Sequence, residues 1–190
     1  MLFRSAALPN LCPHFHLSLQ SGCDATLKRM NRKYDTKLYY TGTKLLRDFF
    51  HRPGITTDLI VGFPGETEEE FEETLSFIQK CAFSAMHIFP YSRRSGTPAA
   101  KMPDQAPNAV KEDRARRAAE VARDMREAWL ASWAGEVLPV LFEEEKNGLW
   151  RGHAPNYAEV FAPGHALHNQ VREVSISGSD PQLGLIGKVL

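Results

Sequence analysis

The run Thr56-Thr57-Asp58-Leu59-Ile60-Val61-Gly62-Phe63-Pro64-Gly65-Glu66-Thr67-Glu68-Glu69-Glu70-Phe71 most constrains the fold. A β-branched, apolar stretch ends in a Gly-Phe-Pro-Gly turn and leads into a row of acids, which predicts strand, tight loop and helix. Thr67 followed by Glu70 is a capping box, so the helix starts there. Phe71, Leu75, Phe77, Ile78 and Cys81 then recur at near-helical spacing. In α/β folds a loop of this kind lies outside the carboxyl ends of the strands, where ligands bind. It is not a P-loop, because the terminal Lys-Ser/Thr is missing. Glu66 and the acids after it oppose an anion site and read as a favourable first helical turn.

Two similar units flank this one. Residues 14–20 alternate between Pro13 and Ser21-Gly22 and predict a strand. Asp24 caps a short helix through about Met30. A longer helix begins at Asp35 or Thr36, with Leu38, Tyr39, Leu45, Leu46 and Phe49 on its apolar side, and ends before Pro53-Gly54. Ala85–Pro90 is a third strand, followed by the Tyr91-Ser92-Arg93-Arg94-Ser95-Gly96-Thr97-Pro98 loop. The order β-α-β-α-β predicts parallel strands with crossover helices. Residues 103–107 form a linker to a long helix over about 108–133. Beyond Gly135, short strands over 137–142, 149–152, 157–161, 171–177 and 185–189 predict a small antiparallel barrel, with a domain boundary near Ala134.

Charge and cysteine content narrow the class. Over 190 residues, 23 Lys and Arg balance 23 Asp and Glu, so no global field points to nucleic acid, although a local basic face is compatible with the uneven distribution. The three cysteines are odd in number and widely spaced, which favours a reducing compartment over a disulfide framework. No apolar run approaches the roughly 18 residues of a membrane span. The apolar run in the first residues is too short for a signal peptide. A cytoplasmic protein is the resulting expectation.

The candidate site residues follow the strand ends. Gln20 and Ser21 offer an amide and a hydroxyl to a polar ligand, or satisfy a turn of their own. Asp58, inside a strand, needs a partner and has either a site or a structural role. Gly62 and Gly65 allow close backbone approach or positive φ. Tyr91 can stack on a purine, and Ser92 and Arg93 beside it can hold a polar or anionic group; a solvated loop is the alternative. Arg114 and Arg117 lie among the acids of the long helix, as a salt-bridged surface or an RNA track. Trp150, Arg151, His153 and Tyr157 suit a stacking surface on the barrel or its core and rim. His14 and His16 share a strand face without a third ligand, so no metal site is expected.

Four ordered blocks carry a resemblance: His16-Leu17-Ser18-Leu19-Gln20-Ser21-Gly22-Cys23-Asp24, Met30-Asn31-Arg32-Lys33-Tyr34, the Thr57–Thr67 block above, and Phe89-Pro90-Tyr91-Ser92-Arg93-Arg94-Ser95-Gly96-Thr97-Pro98-Ala99. Together they resemble the radical S-adenosylmethionine methylthiotransferases of tRNA from about Leu11 onward. The Leu-Ser-Leu-Gln-Ser-Gly-Cys wording is most similar to the branch acting on N6-threonylcarbamoyladenosine; the isopentenyladenosine branch usually has a Pro-Val-Gln-Ser-Gly form.

The resemblance implies an α/β fold: the C-terminal half of a radical-SAM partial TIM-type barrel (three βα units) over residues 11–134, then a TRAM-like, OB-like RNA-binding β-barrel over 135–190, with residues 1–10 unmatched. It implies sulfur insertion and methylation at C2 of adenosine 37, with S-adenosyl-L-methionine and two [4Fe-4S] clusters as cofactors. Gln20, Ser21, Asp58, Gly62, Tyr91, Ser92 and Arg93 would line the S-adenosylmethionine and substrate cavity. Arg114, Arg117, Trp150, Arg151 and Tyr157 would meet the tRNA anticodon stem-loop. The family's C-x3-C-x2-C cluster motif belongs upstream of Leu11 and has no counterpart by spacing in Cys12, Cys23 and Cys81. The expectation is a chain inactive alone, with a non-catalytic RNA-binding module as the alternative.

Overall fold

A computed structural model describes residues 6–8 and 10–190; the expectations on the first residues lie largely outside them. The chain divides into two compact units. One comprises His16–Leu46 with Ile55–Met125; the other comprises Arg126–Leu190, Arg47–Gly54 and the segment ending at Phe15.

A three-stranded sheet has the order β1 (His14–His16), β2 (Gly54–Val61), β3 (Ala85–Pro90), and the first unit holds its His16, residues 55–61 and β3. Helices α1 (Asp24–Arg29) and α2 (Thr36–Phe49) connect β1 to β2, and α3 (Glu68–Cys81) connects β2 to β3. β2 and β3 are parallel, with Asp58 opposite His87 and Ile60 opposite Phe89. Ile55, Thr57, Leu59 and Val61 are fully buried, whereas Thr56, Asp58 and Ile60 between them are only half-buried. One face of the sheet is therefore core, and the other carries polar groups.

β1 is shorter than the alternation predicts. After His16 the chain still tracks β2, through Leu17 N to Thr56 O and Gln20 N to Asp58 O, both 2.9 Å. The ladder is broken because the Leu19 amide turns to the Thr57 hydroxyl and Gln20 adopts φ 70°. In α2 the buried positions are Tyr39, Thr43 and Leu46. Leu38 (60% exposed), Leu45 and Phe49 face out, which corrects the apolar side expected from sequence. Two apolar rows run along this helix one residue apart, and only the row containing Thr43 meets the core.

The capping box of α3 forms as predicted, with Glu70 N donating to Thr67 Oγ1 and Thr67 N to Glu70. Glu66 is not part of that first turn. It precedes the cap and folds back onto the Gly62 amide, which corrects the helical-turn role expected for it. A long helix α4 (Asn108–Ala131) follows a short 3-10 turn at Pro98–Lys101.

The second unit holds a closed barrel of β4 (Val137–Lys146), β5 (Leu149–His153), β6 (Glu159–Ala162), β8 (Gly184–Val189) and β7 (Gln170–Asp180), in that spatial order. It is not wholly antiparallel, because β6 and β8 run parallel. Five strands cannot alternate direction all the way round a ring, so closure leaves one parallel seam. Val140, Phe142, Trp150, Val160, Val174, Ile176 and Leu185 fill the interior with Leu130 and Trp133. Trp150 is 9% exposed and belongs to this core, so the stacking role expected for it is replaced by packing.

Candidate functional site

A cavity of about 450 Å³ opens beside the carboxyl ends of β2 and β3. Ile60, Phe89, Pro90 and Ala99 supply apolar wall, while Gln20, Asp58, Tyr91, Ser92, Arg94 and Thr97 supply polar groups. Register explains the apolar part: Ile60 lies two residues beyond Asp58 on the same strand face, and Phe89 is its partner across the ladder. The mixture of apolar walls and a few convergent polar groups is that of a small-molecule site.

Asp58 is held from the side. His16 Nε2 lies 3.2 Å from Asp58 Oδ2, His16 Nδ1 is 3.0 Å from Thr56 Oγ1, and Ser18 Oγ is 3.3 Å from His16 Nε2. With β2 bringing Asp58 into the cavity and the end of β1 bringing His16 beside it, the carboxylate is oriented rather than stranded in the sheet.

Not all the residues expected at the site reach it. Gln20, Asp58, Tyr91 and Ser92 line the cavity. Ser21 is fully buried, accepts from Cys23 N at 3.2 Å and pairs with Thr74 Oγ1 at 3.4 Å, so it stabilises the turn. Arg93 donates its Nε to Ala100 O at 2.7 Å and braces the loop, while Arg94 lines the cavity instead. Arg94 was concealed in the sequence because two adjacent arginines in a loop carry no periodicity to separate them.

Gly62 sits behind the wall at φ 69°, and a Cβ there would meet Lys111 Cγ at 2.5 Å. Its amide donates to Glu66 Oε2 at 2.6 Å. The same oxygen accepts from Arg114 Nη1 at 2.8 Å, and that nitrogen also reaches Glu66 O at 3.0 Å. The side chains are 1% and 5% exposed. Burial pushes the Glu66 carboxyl above its ordinary range, against the opposing pull of the Gly62 amide and Arg114.

Arg114 is therefore bound within the fold, and Arg117 is paired with Glu68 and Glu72 over the Phe71 ring. Arg151 is engaged by Glu144 at 2.7 Å and Glu159 at 2.5 Å. Tyr157 is 63% exposed and its ring already stacks with His14 at 4.8 Å and with His153 at 4.7 Å.

The cavity's apolar walls and polar rim fit an adenosyl sulfonium such as S-adenosylmethionine. An iron–sulfur cluster has no such fit. Among the described residues no group of three or more His, Cys, Asp or Glu is gathered as a ligand set. Cys12 is exposed, Cys23 and Cys81 are buried, and burial pushes the Cys23 thiol up, away from the thiolate that iron requires.

Residues 3–78 match the Radical SAM superfamily. Over most of its length the chain is similar to the tRNA methylthiotransferases of that class. The threonylcarbamoyladenosine tRNA methylthiotransferase MtaB of Bacillus subtilis is 40% identical over 156 residues, covering 80% of this chain and 35% of the relative. The tRNA-2-methylthio-N(6)-dimethylallyladenosine synthase of Desulfitobacterium hafniense is 40% identical over 85% of this chain and 37% of its own length. The enzyme of that name from Thermoanaerobacter sp. is 41% identical over 93% of this chain and 38% of the relative. The chain thus spans little more than a third of these relatives, and both kinds are represented. Among the described residues no helix is long and apolar enough to cross a membrane.

Proposed function

We propose that this chain forms the S-adenosylmethionine and substrate cavity, together with the RNA-binding barrel, of a methylthiotransferase acting at C2 of adenosine 37 in tRNA. The observation that carries this reading is the cavity at the strand ends, lined by Gln20, Asp58 and Tyr91 from three of the four family-like blocks or their edges. S-adenosylmethionine, when bound, supplies the radical and methyl chemistry of the class. The chain's own residues bind and orient: Ile60 and Phe89 give an apolar wall for a base, and Asp58, steadied by His16, accepts from a hydroxyl or amine. Arg94 gives the rim a cation for a carboxylate. The Leu-Ser-Leu-Gln-Ser-Gly-Cys wording favours threonylcarbamoyladenosine as the modified base. We assign the barrel, as a TRAM-like module, to the anticodon stem-loop.

Calorimetric titration with S-adenosylhomocysteine tests the cavity. Saturable binding that falls about tenfold in Asp58→Asn is expected, in line with one lost hydrogen bond to a charged group. No binding by the native chain overturns the ligand assignment. Nucleoside mass spectrometry on tRNA from source cells lacking the gene tests the reaction. Loss of the 2-methylthio group from threonylcarbamoyladenosine is expected; loss from isopentenyladenosine reassigns the branch; no loss leaves RNA binding without chemistry as the better reading.

A further inference from the structure

The buried ion pair behind the cavity has a use that stability alone does not explain. Glu66 Oε2 receives both the Gly62 amide and the Arg114 guanidinium, while Glu66 Oε1 is buried without a hydrogen-bond partner. Gly62 opens the loop whose next residue, Phe63, is 6% exposed and lies edge-on to the Tyr91 ring at 5.3 Å. Tyr91 is tied to the same strand end by its amide, 2.8 Å from Val61 O. Lys111 Nζ lies 5.5 Å from the centroid of the same ring, and the Lys111 stem rests on Gly62. Helix α4 thereby holds the loop at two points one turn apart, Lys111 and Arg114, and the loop holds the ring.

We infer that Glu66 is a positioning residue for the cavity: by clamping the Gly62 amide against Arg114 it fixes, through Phe63, the Tyr91 ring that forms one wall. Glu66 does not line the cavity, so its effect is transmitted through the loop. A carboxylate suits this task better than a neutral acceptor, because one oxygen can take an amide and a guanidinium together through charge-assisted bonds. The consequence for affinity rests on the proposed binding of S-adenosylmethionine; the consequence for Tyr91 does not.

The test uses the full chain labelled with 3-fluorotyrosine. It has five tyrosines, and loss of a signal in Tyr91→Phe assigns the resonance. Glu66→Gln and Glu66→Ala are compared with Ile78→Ala, a core change at the far end of α3, at temperatures where all remain folded. In both Glu66 variants the Tyr91 fluorine signal is expected to shift or broaden, and S-adenosylhomocysteine to bind about tenfold more weakly. Ile78→Ala is expected to leave both unchanged. If Glu66→Ala does not fold, Glu66→Gln alone decides. A Tyr91 signal that stays in place in the Glu66 variants, or moves equally in Ile78→Ala, overturns the inference. If the native chain fails to bind the nucleoside, the fluorine signal still decides the positioning role and only the ligand assignment falls.

Discussion

Arg114 and Glu66 show how a charged residue can be easy to see and hard to interpret. In sequence Arg114 is one of several basic residues on a polar helix; in the fold it is 5% exposed on a carboxylate 1% exposed. Cutting one side of such a pair strands a buried charge, so Arg114→Met is expected to lose about 3–5 kcal/mol of stability in denaturant titration. Glu70 behaves differently. Its hydrogen-bonded partner Arg29 holds the carboxyl below its ordinary range. A lowered folded value means the stabilisation is present above the unfolded pKa, about 4.3, and is lost as pH falls through the folded one. Melting temperatures followed downward from about pH 5 should therefore drop less steeply in Glu70→Gln than in the native chain. The two glutamates stand four residues apart, and although the capping box marks Glu70, nothing local to either predicts its arginine partner. Their opposite behaviour follows from long-range partners, Arg114 for Glu66 and Arg29 for Glu70.

At the scale of elements, period and punctuation were legible and facing was not. The capping box at Thr67 and Glu70, the strand Ala85–Pro90 and all of the barrel strands could be read from local signals. The face of α2 could not, since Leu38-Leu45-Phe49 and Tyr39-Leu46-Phe50 are equally apolar rows. Gly42 lies in this helix, and a Cβ there would meet nothing within 4 Å. Gly42→Ala should stabilise by about 0.5–1 kcal/mol in thermal or chemical unfolding. Gly62→Ala should do the reverse, since φ is 69° and Lys111 Cγ stands 2.5 Å from the new atom. In the barrel, Trp150→Ala removes a core indole and is expected to cost about 3–5 kcal/mol. Its place inside was hidden because one tryptophan in a short strand satisfies a rim and a core equally.

Over the whole molecule, the strand-end placement of the site was legible because βαβ topology dictates it. The exchange of Ser21, Gly62 and Arg93 for Ile60, Phe89 and Arg94 as lining residues was not, because it depends on ladder register and loop bracing. The expected RNA contacts changed character for the same reason: Arg114 and Trp150 are internal, and the Tyr157 ring already stacks with two histidines. Binding to an anticodon stem-loop should weaken linearly in log Kd against log salt. Tyr157→Ala should reduce it in filter binding or fluorescence anisotropy. An equal affinity for the native chain and Tyr157→Ala would move the RNA surface elsewhere.

The parallel seam of the barrel has a bearing on synthesis. β6 and β7 are consecutive in the chain but are never neighbours, because β8 lies between them. On the ribosome, β4 to β7 emerge first and can pair only as an open ribbon with two raw edges. Those edges stay available to other nascent chains until Gly184–Val189 clears the exit tunnel and slots in. The last of the five strands to be made is thus the one that seals the ring, and the interval between the emergence of β7 and that of β8 is the one of greatest exposure to misassembly.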